Sequence, residues 1–276
     1  MLSYRHAFHA GNHADVLKHV ALVLLLDYLT SKPKPLWYVD THAGAGVYDL
    51  ERGFATQLAE HAGGIGRLWD APPPTPALER YLALVRSLNP DGRLRRYPGS
   101  PWLAQQLLRA DDRLLLFELH PADHAALAET IRGRRVRVAR EDGLRGLRGV
   151  LPPEPRRALV LIDPSYEVKT EYRQVCDALR DALRRFRTGA YAVWYPLIEH
   201  AEAREFPAAL RALGAASWLA AELQVRRPGP GMYGSGLFVI NPPYTLPDSL
   251  EPTLAALARR LGEDDGAEHR LEWQID

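Results

Sequence analysis

Residues 158–166 read Ala158-Leu-Val-Leu-Ile162-Asp163-Pro164-Ser165-Tyr166 and indicate the fold more clearly than any other stretch. An unbroken apolar run that ends in a carboxylate is typical of a strand buried on both faces. Pro164 fixes its own backbone, and we expect its carbonyl to face a cleft beside Asp163. Tyr166 then offers an aromatic face on which a planar base can stack. The stretch therefore predicts a parallel sheet that presents polar groups where its strands end.

Other short apolar runs recur on both sides of this stretch, each ending in glycine, proline or an acidic residue. They predict strands at residues 36–39, 114–117, 136–138, 159–162, 191–194 and 237–240. The segments between them have helical periodicity and predict helices at residues 15–29, 101–109, 121–132, 172–185 and 202–213. Such alternation indicates an α/β fold, with a mostly parallel sheet flanked by helices.

Residues 49–97 interrupt this alternation. Helical stretches at residues 56–69 and 78–88 lie on either side of Pro72-Pro73-Pro74. We therefore expect residues 1–48 and 98–276 to form the core and residues 49–97 to form a small inserted helical subdomain. A glycine- and proline-rich stretch at residues 226–236 predicts a loop beside the ligand-binding edge of the sheet.

Composition excludes several classes of protein. The chain has 276 residues, of which 46% are hydrophobic and 25% charged, and this argues against disordered and fibrous proteins. Cys176 is the single cysteine and cannot form an internal disulfide, so we expect a cytoplasmic protein. The apolar run at residues 20–26 is too short to span a bilayer. With a net charge of +1, any nucleic acid would be held by a local patch of charge.

A second strand end, Trp37-Tyr-Val-Asp40-Thr-His42-Ala-Gly44-Ala-Gly46, leads into a loop of small residues. Glycine in such a loop lets the backbone approach a ligand closely. A dinucleotide-binding fingerprint would have a third glycine where Asp49 stands, which argues against a nicotinamide-dependent oxidoreductase. A tight turn without ligand contacts is the alternative for this loop.

Two further strand ends carry carboxylates that suit a nucleoside. Glu118 can accept hydrogen bonds from both hydroxyls of a ribose. Asp142 can accept from the exocyclic amine of an adenine, while Gly143 lets the ring lie against the backbone. The alternatives are a surface acid at Glu118 and a plain turn at Asp142.

The fourth strand end, at Asp163, suits an aromatic amine as substrate. The amine nitrogen of adenine is a poor nucleophile because its lone pair is delocalised, so a site must accept its hydrogens and align it with an electrophilic methyl group. Asp163 and the Pro164 carbonyl can be those acceptors. Asn241-Pro242-Pro243-Tyr244 fits the amino-methyltransferase pattern more literally. It follows a later strand, however, and we interpret Asn241 as a strand terminator and turn.

These motifs resemble a known family, the bacterial enzymes that transfer a methyl group from S-adenosylmethionine to the N6 of one adenine in 23S ribosomal RNA. The resemblance covers nearly the whole chain. It is carried by Met1-Leu-Ser-Tyr4-Arg-His6-Ala-Phe-His9-Ala-Gly-Asn-His13-Ala-Asp15-Val-Leu-Lys18-His19, Asp40-Thr-His42-Ala-Gly-Ala-Gly46, Tyr97-Pro-Gly-Ser100-Pro, Glu118-Leu-His120-Pro and Leu161-Ile-Asp163-Pro-Ser-Tyr166-Glu.

The resemblance implies a Rossmann-like methyltransferase fold, a cytoplasmic monomer and S-adenosylmethionine as cofactor. Asp163, with Pro164 and Tyr166, would be catalytic. Ser165 stands where the family usually has a second proline, which loosens this loop. Residues that would serve the target adenine and its RNA are Tyr4, His6 and Lys18. Residues that would line the cofactor site are His19, His42, Ser100, Glu118, Asp142, Gly143 and Asp163.

Several alternatives stay open from the residues alone. Ser100 before Pro101 is also a helix N-cap. The histidines near the start, with Asp15, match no standard zinc spacing, and we expect no metal. Arginines that can hold phosphates, or form a solvated face, are Arg132, Arg134, Arg135, Arg137 and Arg140, with Arg226 and Arg227 in the glycine-rich loop. The alternative functions are methylation of DNA or a small amine, and a non-catalytic RNA-binding or ribosome-assembly protein.

Overall fold

The computed structural model describes residues 6–52 and 59–275. The strands in these ranges are β1 (Trp37–Asp40), β2 (Val47–Asp49), β3 (Arg96–Pro98), β4 (Arg113–Phe117), β5 (Val136–Ala139), β6 (Ala158–Ile162), β7 (Ala190–Leu197), β8 (Trp218–Gln224), β9 (Gly234–Ile240) and β10 (Glu268–Gln274). The α-helices are α1 (His13–Thr30), α2 (Gly66–Trp69), α3 (Pro76–Ser87), α4 (Ser100–Leu107), α5 (Pro121–Thr130), α6 (Gly143–Val150), α7 (Thr170–Arg185), α8 (Ala201–Arg211) and α9 (Leu246–Leu261). Short 3-10 turns lie at His6–Phe8 and Glu60–Ala62.

Within the described ranges, eight strands form one sheet in the order β10-β8-β9-β7-β6-β1-β4-β5. Strand β1 lies between β4 and β6 and is parallel to both, and the parallel arrangement continues to β5 and β7. Of the eight described strands of this sheet, only β9 and β10 run antiparallel to the others. The predicted α/β architecture with a mostly parallel sheet is confirmed.

Apolar residues cover both faces of this sheet because successive strand residues point to opposite sides. Along β6, Leu159 and Leu161 belong to one apolar cluster, while Val160 and Ile162 belong to the other. The first cluster includes α1, whose residues 14–23 are all buried. Helix α1 begins at a cap in which the Asn12 side chain accepts hydrogen bonds from the backbone of Ala14 and Asp15. Polar side chains on α1 are thereby carried into the interior.

The predicted strands and five helices of the core are present, with their ends shifted by up to three residues. Strands β2, β3, β8 and β10 and helices α6 and α9 were not predicted. In the helical stretch predicted at residues 56–69, the described part holds only a 3-10 turn and the four-residue α2. Gly63, Gly64 and Gly66 disfavour a longer helix there, and residues 53–58 lie outside the described ranges.

The segment predicted as an insertion is bracketed by β2 and β3, which pair antiparallel, with Tyr48 opposite Tyr97. Its helices α2 and α3 pack on the core, because Leu78 and Tyr81 belong to the same apolar cluster as Leu17 of α1. The division at residues 48/49 and 97/98 stays a prediction. No helix in the described part of the chain has the length and apolar character needed to cross a membrane.

Candidate active site

The carboxyl ends of β1, β4, β5 and β6 meet at one edge of the sheet, where they surround a cavity of about 290 Å³. Helix α1 and the start of α4 close the cavity from one side. The structure brings together on its walls almost every residue that the sequence singled out. These are His6, Lys18, His19, His42, Ser100, Glu118, Asp142, Gly143, Asp163 and Pro164.

Glu118 follows β4 and is oriented by two backbone groups. One carboxylate oxygen accepts from Gly44 N at 2.8 Å and the other from His120 N at 2.7 Å. Burial raises the pKa of Glu118, and these two N–H groups oppose that shift. A carboxylate fixed in this way keeps free lone pairs that can accept from two hydroxyl groups.

Ser100 is held by Asp40, a residue that the sequence analysis did not assign to the site. Its hydroxyl donates to Asp40 Oδ2 at 2.6 Å, and Tyr38 donates to the same oxygen at 2.8 Å. The N-cap alternative for Ser100 is therefore wrong, because Gly99 occupies the cap position and the Ser100 hydroxyl is engaged elsewhere. Burial raises the pKa of Asp40 to about 6, although the hydrogen bonds from Ser100 and Tyr38 oppose it.

Asp142 and Gly143 join β5 to α6. Asp142 caps the helix, since its Oδ1 accepts from the backbone N–H of Leu144 and of Arg145. Gly143 is required by packing: a Cβ atom there would lie 2.1 Å from the carbonyl oxygen of Thr41. The turn anticipated at Asp142 is thus present, and both residues also line the cavity.

The loop after β1 turns sharply at Gly44, which has a φ of +63°. A side chain at this position would collide with the hydroxyl of Tyr48. The backbone of the loop stays attached to both neighbouring strands, since Thr41 N donates to Leu161 O and Ala43 N to Phe117 O. This wall of the cavity is therefore set by backbone contacts.

His19 and His42 are neutral in the folded chain. Burial lowers the pKa of His19 to about 3 and that of His42 to about 4. The Nδ1 atom of His19 lies 2.8 Å from the hydroxyl of Tyr97, which in turn lies 2.8 Å from the hydroxyl of Tyr81. The two imidazoles can therefore act as neutral hydrogen-bonding groups.

Asp163 lies at the end of β6 and forms an ion pair with Lys18 of α1. Lys18 Nζ is 2.5 Å from Asp163 Oδ2 and 2.8 Å from Asp15 Oδ1, and it is 3% exposed. Burial raises the pKa of Asp163 even though Lys18 opposes the shift. His6 Nε2 lies 2.9 Å from the other oxygen of Asp15. Lys18 is thus buried between two carboxylates and does not extend to the surface.

A second cavity of about 220 Å³ adjoins the first, and Asp163, Lys18, His6 and Ser165 lie on the walls of both. Its remaining walls are aromatic, aliphatic and polar. They are formed by His9, Asn12, Ala14, Asp15, Tyr166, Trp194, Pro196, Ile198 and Met232. Two cavities therefore meet at one carboxylate, as transfer between two bound molecules requires.

Tyr166 is more constrained than the sequence suggested. Its ring stacks on Tyr172 at 4.4 Å between centroids, and its hydroxyl donates to Trp194 O at 2.7 Å. Its φ is +54°, a strained conformation for a residue with a side chain. Tyr172 therefore already covers one face of the ring.

Asn241 lies at the opposite edge of the sheet from Asp163. Strand β9 runs antiparallel to β7, so its end is beside the start of β7. The Asn241 side chain donates to Arg187 O at 2.8 Å and to Gly189 O at 2.7 Å. The competing motif is therefore a structural turn, and strand direction is the physical reason.

The arginines predicted as phosphate contacts are exposed or engaged within the chain. Arg226 donates to Pro230 O at 2.7 Å and Arg227 pairs with Asp265, so both brace the glycine-rich loop. That loop lies beside the second cavity through Met232. Arg135 and Arg137 pair with neighbouring acids, while the other members of the run, Arg132, Arg134 and Arg140, are exposed.

Tyr4 lies outside the described residues. Among residues 6–52 and 59–275, no three His, Cys, Asp or Glu side chains form a group that could hold a metal ion. His9 lies 3.0 Å from the Glu60 carboxylate and His6 bonds Asp15, so the early histidines have other contacts.

Comparison with known proteins gives consistent results. Residues 33–275 match the family model described as Ribosomal RNA large subunit methyltransferase D, RlmJ. The chain is 44% identical over 281 residues to the Escherichia coli protein named Ribosomal RNA large subunit methyltransferase J. The alignment covers 100% of this chain and 99% of the Escherichia coli protein. A protein of the same name from Haemophilus influenzae is 42% identical over 277 residues, with 99% of each chain covered.

A solved structure has the same fold over nearly the whole chain. The crystal structure of a Legionella pneumophila protein superposes with a TM-score of 0.88 and 37% identity, over 97% of this chain and 99% of that chain. The family match covers most of the chain, and the two relatives match it end to end. The chain therefore belongs to the RlmJ family of ribosomal RNA large subunit methyltransferases.

Proposed function

We propose that this protein transfers the methyl group of S-adenosylmethionine to the N6 amine of a specific adenine in 23S ribosomal RNA. The observation that supports this most strongly is the meeting of two cavities at Asp163. The first cavity suits a nucleoside with an amino-acid tail, and the second suits a planar base. Its location would be the cytoplasm, and the monomeric state stays a prediction.

The first cavity fits S-adenosylmethionine in its donor and acceptor groups. Glu118 would accept from the ribose hydroxyls and Asp142 from the adenine amine. The start of α4, at Ser100, offers backbone N–H groups to the amino-acid carboxylate. When bound, the cofactor supplies an electrophilic methyl group. His19 and His42 would line the same site as neutral groups.

Asp163 would hold and activate the target amine. Lys18 occupies Oδ2, and no described residue donates a hydrogen bond to Oδ1. Oδ1 is therefore available to accept one hydrogen of the amine, and the carbonyl of Pro164 would accept the other. Both hydrogen bonds increase electron density on the nitrogen and align it for attack.

The amine must lose one proton when its nitrogen gains a methyl group. Asp163 is the adjacent acceptor, and burial raises its pKa, which makes it a better base than an exposed aspartate. The ammonium of Lys18, 2.5 Å from Oδ2, opposes this rise in pKa and stabilises the ionised form of the carboxylate. Asp163 would release the proton after the methylated base leaves.

The second cavity would hold the target adenine, turned out of its stack. RNA offers such bases readily in loops and at helix ends. Tyr166 would contact the base with the ring face not covered by Tyr172. Tyr4 and His6 would position the adenine and its RNA, whereas Lys18 would act through Asp163 because it is buried between two carboxylates.

The proposal is tested by methyl transfer to different polymers. Purified protein and S-adenosylmethionine are incubated with protein-free 23S RNA, with ribosomal particles and with duplex DNA, all from cells lacking the protein. Mass spectrometry of nucleosides should show one N6-methyladenosine per RNA molecule and none in DNA. Methylation of DNA alone, or of no polymer, would favour a different amine substrate or a non-catalytic RNA-binding role.

A further inference from the structure

Asp15 is a buried acid on the wall of the second cavity that makes no direct contact with Asp163. It lies in the first turn of α1 and is 1% exposed. Its Oδ2 accepts from Gly11 N at 2.9 Å and lies 2.9 Å from His6 Nε2. Its Oδ1 lies 2.8 Å from Lys18 Nζ. The carboxylate is thus fixed by backbone on one side and faces the ammonium on the other.

We infer that Asp15 is a positioning residue for methyl transfer, which acts through Lys18 to orient Asp163. This inference rests on the proposed function. The chain of contacts runs from His6 to Asp15, from Asp15 to Lys18, and from Lys18 to Asp163. Asp15 and Lys18 are buried, whereas the side chains of Asp163 and His6 are 12% and 22% exposed.

The placement of charge explains what Asp15 contributes. One ammonium lies between two carboxylates, so Lys18 does not neutralise Asp163 alone. Because Asp15 is one helical turn before Lys18 and is anchored by Gly11, it fixes where the ammonium lies. The ammonium then holds Oδ2 of Asp163 and leaves Oδ1 directed to the amine. Without Asp15, the flexible lysine side chain would lose its fixed partner.

Stability alone gives a weak reason for this arrangement. Buried ion pairs cost desolvation energy, and well-packed apolar residues of similar volume are often as stable. A chain that places two acids and a lysine together inside its core gains orientation from them. In this protein the oriented group is the carboxylate where the two cavities meet.

The test is a double-mutant cycle with a matched control. The variants are Asp15→Asn, Lys18→Met and the combination of both. Asp112→Asn serves as control, because Asp112 is also a buried acid, 3% exposed, that accepts from backbone N–H groups at the opposite edge of the sheet. For each protein we would measure the single-turnover rate of methyl transfer to RNA, the Kd for S-adenosylmethionine and the melting temperature.

Asp15→Asn should slow the single-turnover rate by about tenfold to a hundredfold, the range known for outer-shell partners of metal-site ligands. The cofactor Kd should change by less than about threefold, because the contacts of Glu118 and Asp142 are intact. When Lys18 is already methionine, adding Asp15→Asn should slow the single-turnover rate by less than about threefold. The contact through which Asp15 orients Asp163 is then already absent. Asp112→Asn should lower the melting temperature without slowing the folded enzyme.

The inference would be overturned by an unchanged rate in Asp15→Asn, or by an undiminished effect of Asp15→Asn on the rate when Lys18 is already methionine. Equal slowing by Asp112→Asn would show a general effect of lost stability and would also overturn it. A wild-type protein that methylates no RNA would instead remove the proposed function, and the inference with it. The two failures are therefore distinguishable.

Discussion

At the scale of single residues, the site is built from polar groups that the fold keeps away from water. His19 is an example: it is 1% exposed, lies 2.8 Å from the Tyr97 hydroxyl and stays neutral because burial lowers its pKa to about 3. An unfolded chain would bind a proton at this histidine near pH 6.5. Protonation therefore favours the unfolded state.

His19 makes the protein less stable in acid. Between pH 6.5 and 3 the unfolded state binds more protons than the folded state, so stability rises with pH. From pH 6.5 to 5.0 this histidine alone should reduce the free energy of unfolding by about 2 kcal/mol. We predict that His19→Gln removes this part of the pH dependence of the free energy of unfolding. Urea unfolding at a series of pH values between about 6.5 and 5.0 measures that dependence.

The control for this prediction is His200→Gln, because the His200 side chain is exposed. In this variant the free energy of unfolding should fall with acid as steeply as in the wild type. A His19→Gln protein whose stability falls with acid as steeply as the wild type would contradict the assignment of a neutral, buried His19.

The carboxylates at strand ends could be predicted because an apolar run marks each of them. Asp40 could not be predicted, since its partner Ser100 is distant along the chain. Asp15 could not be predicted either, because its importance depends on the contact that its near neighbour Lys18 makes with a distant residue. Lys18 and Asp163 are 145 residues apart, and Asp40 and Ser100 are 60 apart. Burial of Lys18 between two acids likewise has no local signal. Only the fold brings such residues together.

At the scale of elements, α6 shows how a short helix can depend on one residue at its start. Its sequence, Gly143-Leu-Arg-Gly-Leu-Arg-Gly-Val150, is a poor helix former, and the sequence analysis did not predict it. The Asp142 cap and the close approach of Gly143 to Thr41 fix the first turn. This turn forms part of the cavity wall.

Two alanine substitutions in α6 should therefore have opposite effects. Gly143→Ala would place a Cβ atom 2.1 Å from Thr41 O, so we expect it to cost about 1–3 kcal/mol and to weaken binding of S-adenosylmethionine. Gly149→Ala meets no atom within 4 Å and should gain about 0.5–1 kcal/mol. Urea unfolding and calorimetric titration with the cofactor measure both effects. A stable Gly143→Ala protein with unchanged affinity would contradict this account of the wall.

Strand existence was easier to predict than strand direction. The apolar run before Asn241 predicted the strand β9, but nothing in the run indicates that β9 is antiparallel to β7. Direction depends on the whole connection between β8 and β9, and it decides that Asn241 lies at the opposite edge from Asp163. Chain order led to the same choice between the two motifs, although the structural reason is different.

At the scale of the whole molecule, the elements share one continuous interior. Helix α1 packs against α3, α4, α9 and β9, so it joins the segment between β2 and β3 to the sheet. Tyr81 of α3 also reaches the site through Tyr97 and His19. The helices of this segment are thus coupled to the same core as the cofactor cavity.

We predict that the chain unfolds in a single cooperative transition. Far-ultraviolet circular dichroism, which follows all helices, and fluorescence of Trp69, compared with a Trp69→Phe variant, should give the same midpoint in urea. Trp69 reports on the segment between β2 and β3 because it is 9% exposed and belongs to the apolar cluster of α1. An earlier transition at Trp69 would show that this segment unfolds independently.

The role of Asp163 is decided by measuring methyl transfer by the Asp163→Asn variant. Asparagine keeps the shape of the side chain but removes its charge and its capacity to accept a proton. We predict that Asp163→Asn forms N6-methyladenosine, measured by nucleoside mass spectrometry, at less than about one thousandth of the wild-type rate. A loss of this size lies within the range that general base catalysis contributes. The Kd for S-adenosylmethionine should stay within about threefold of the wild-type value. Methylation of the RNA by Asp163→Asn at a rate near that of the wild type would contradict the central claim that the two cavities meet at the catalytic carboxylate.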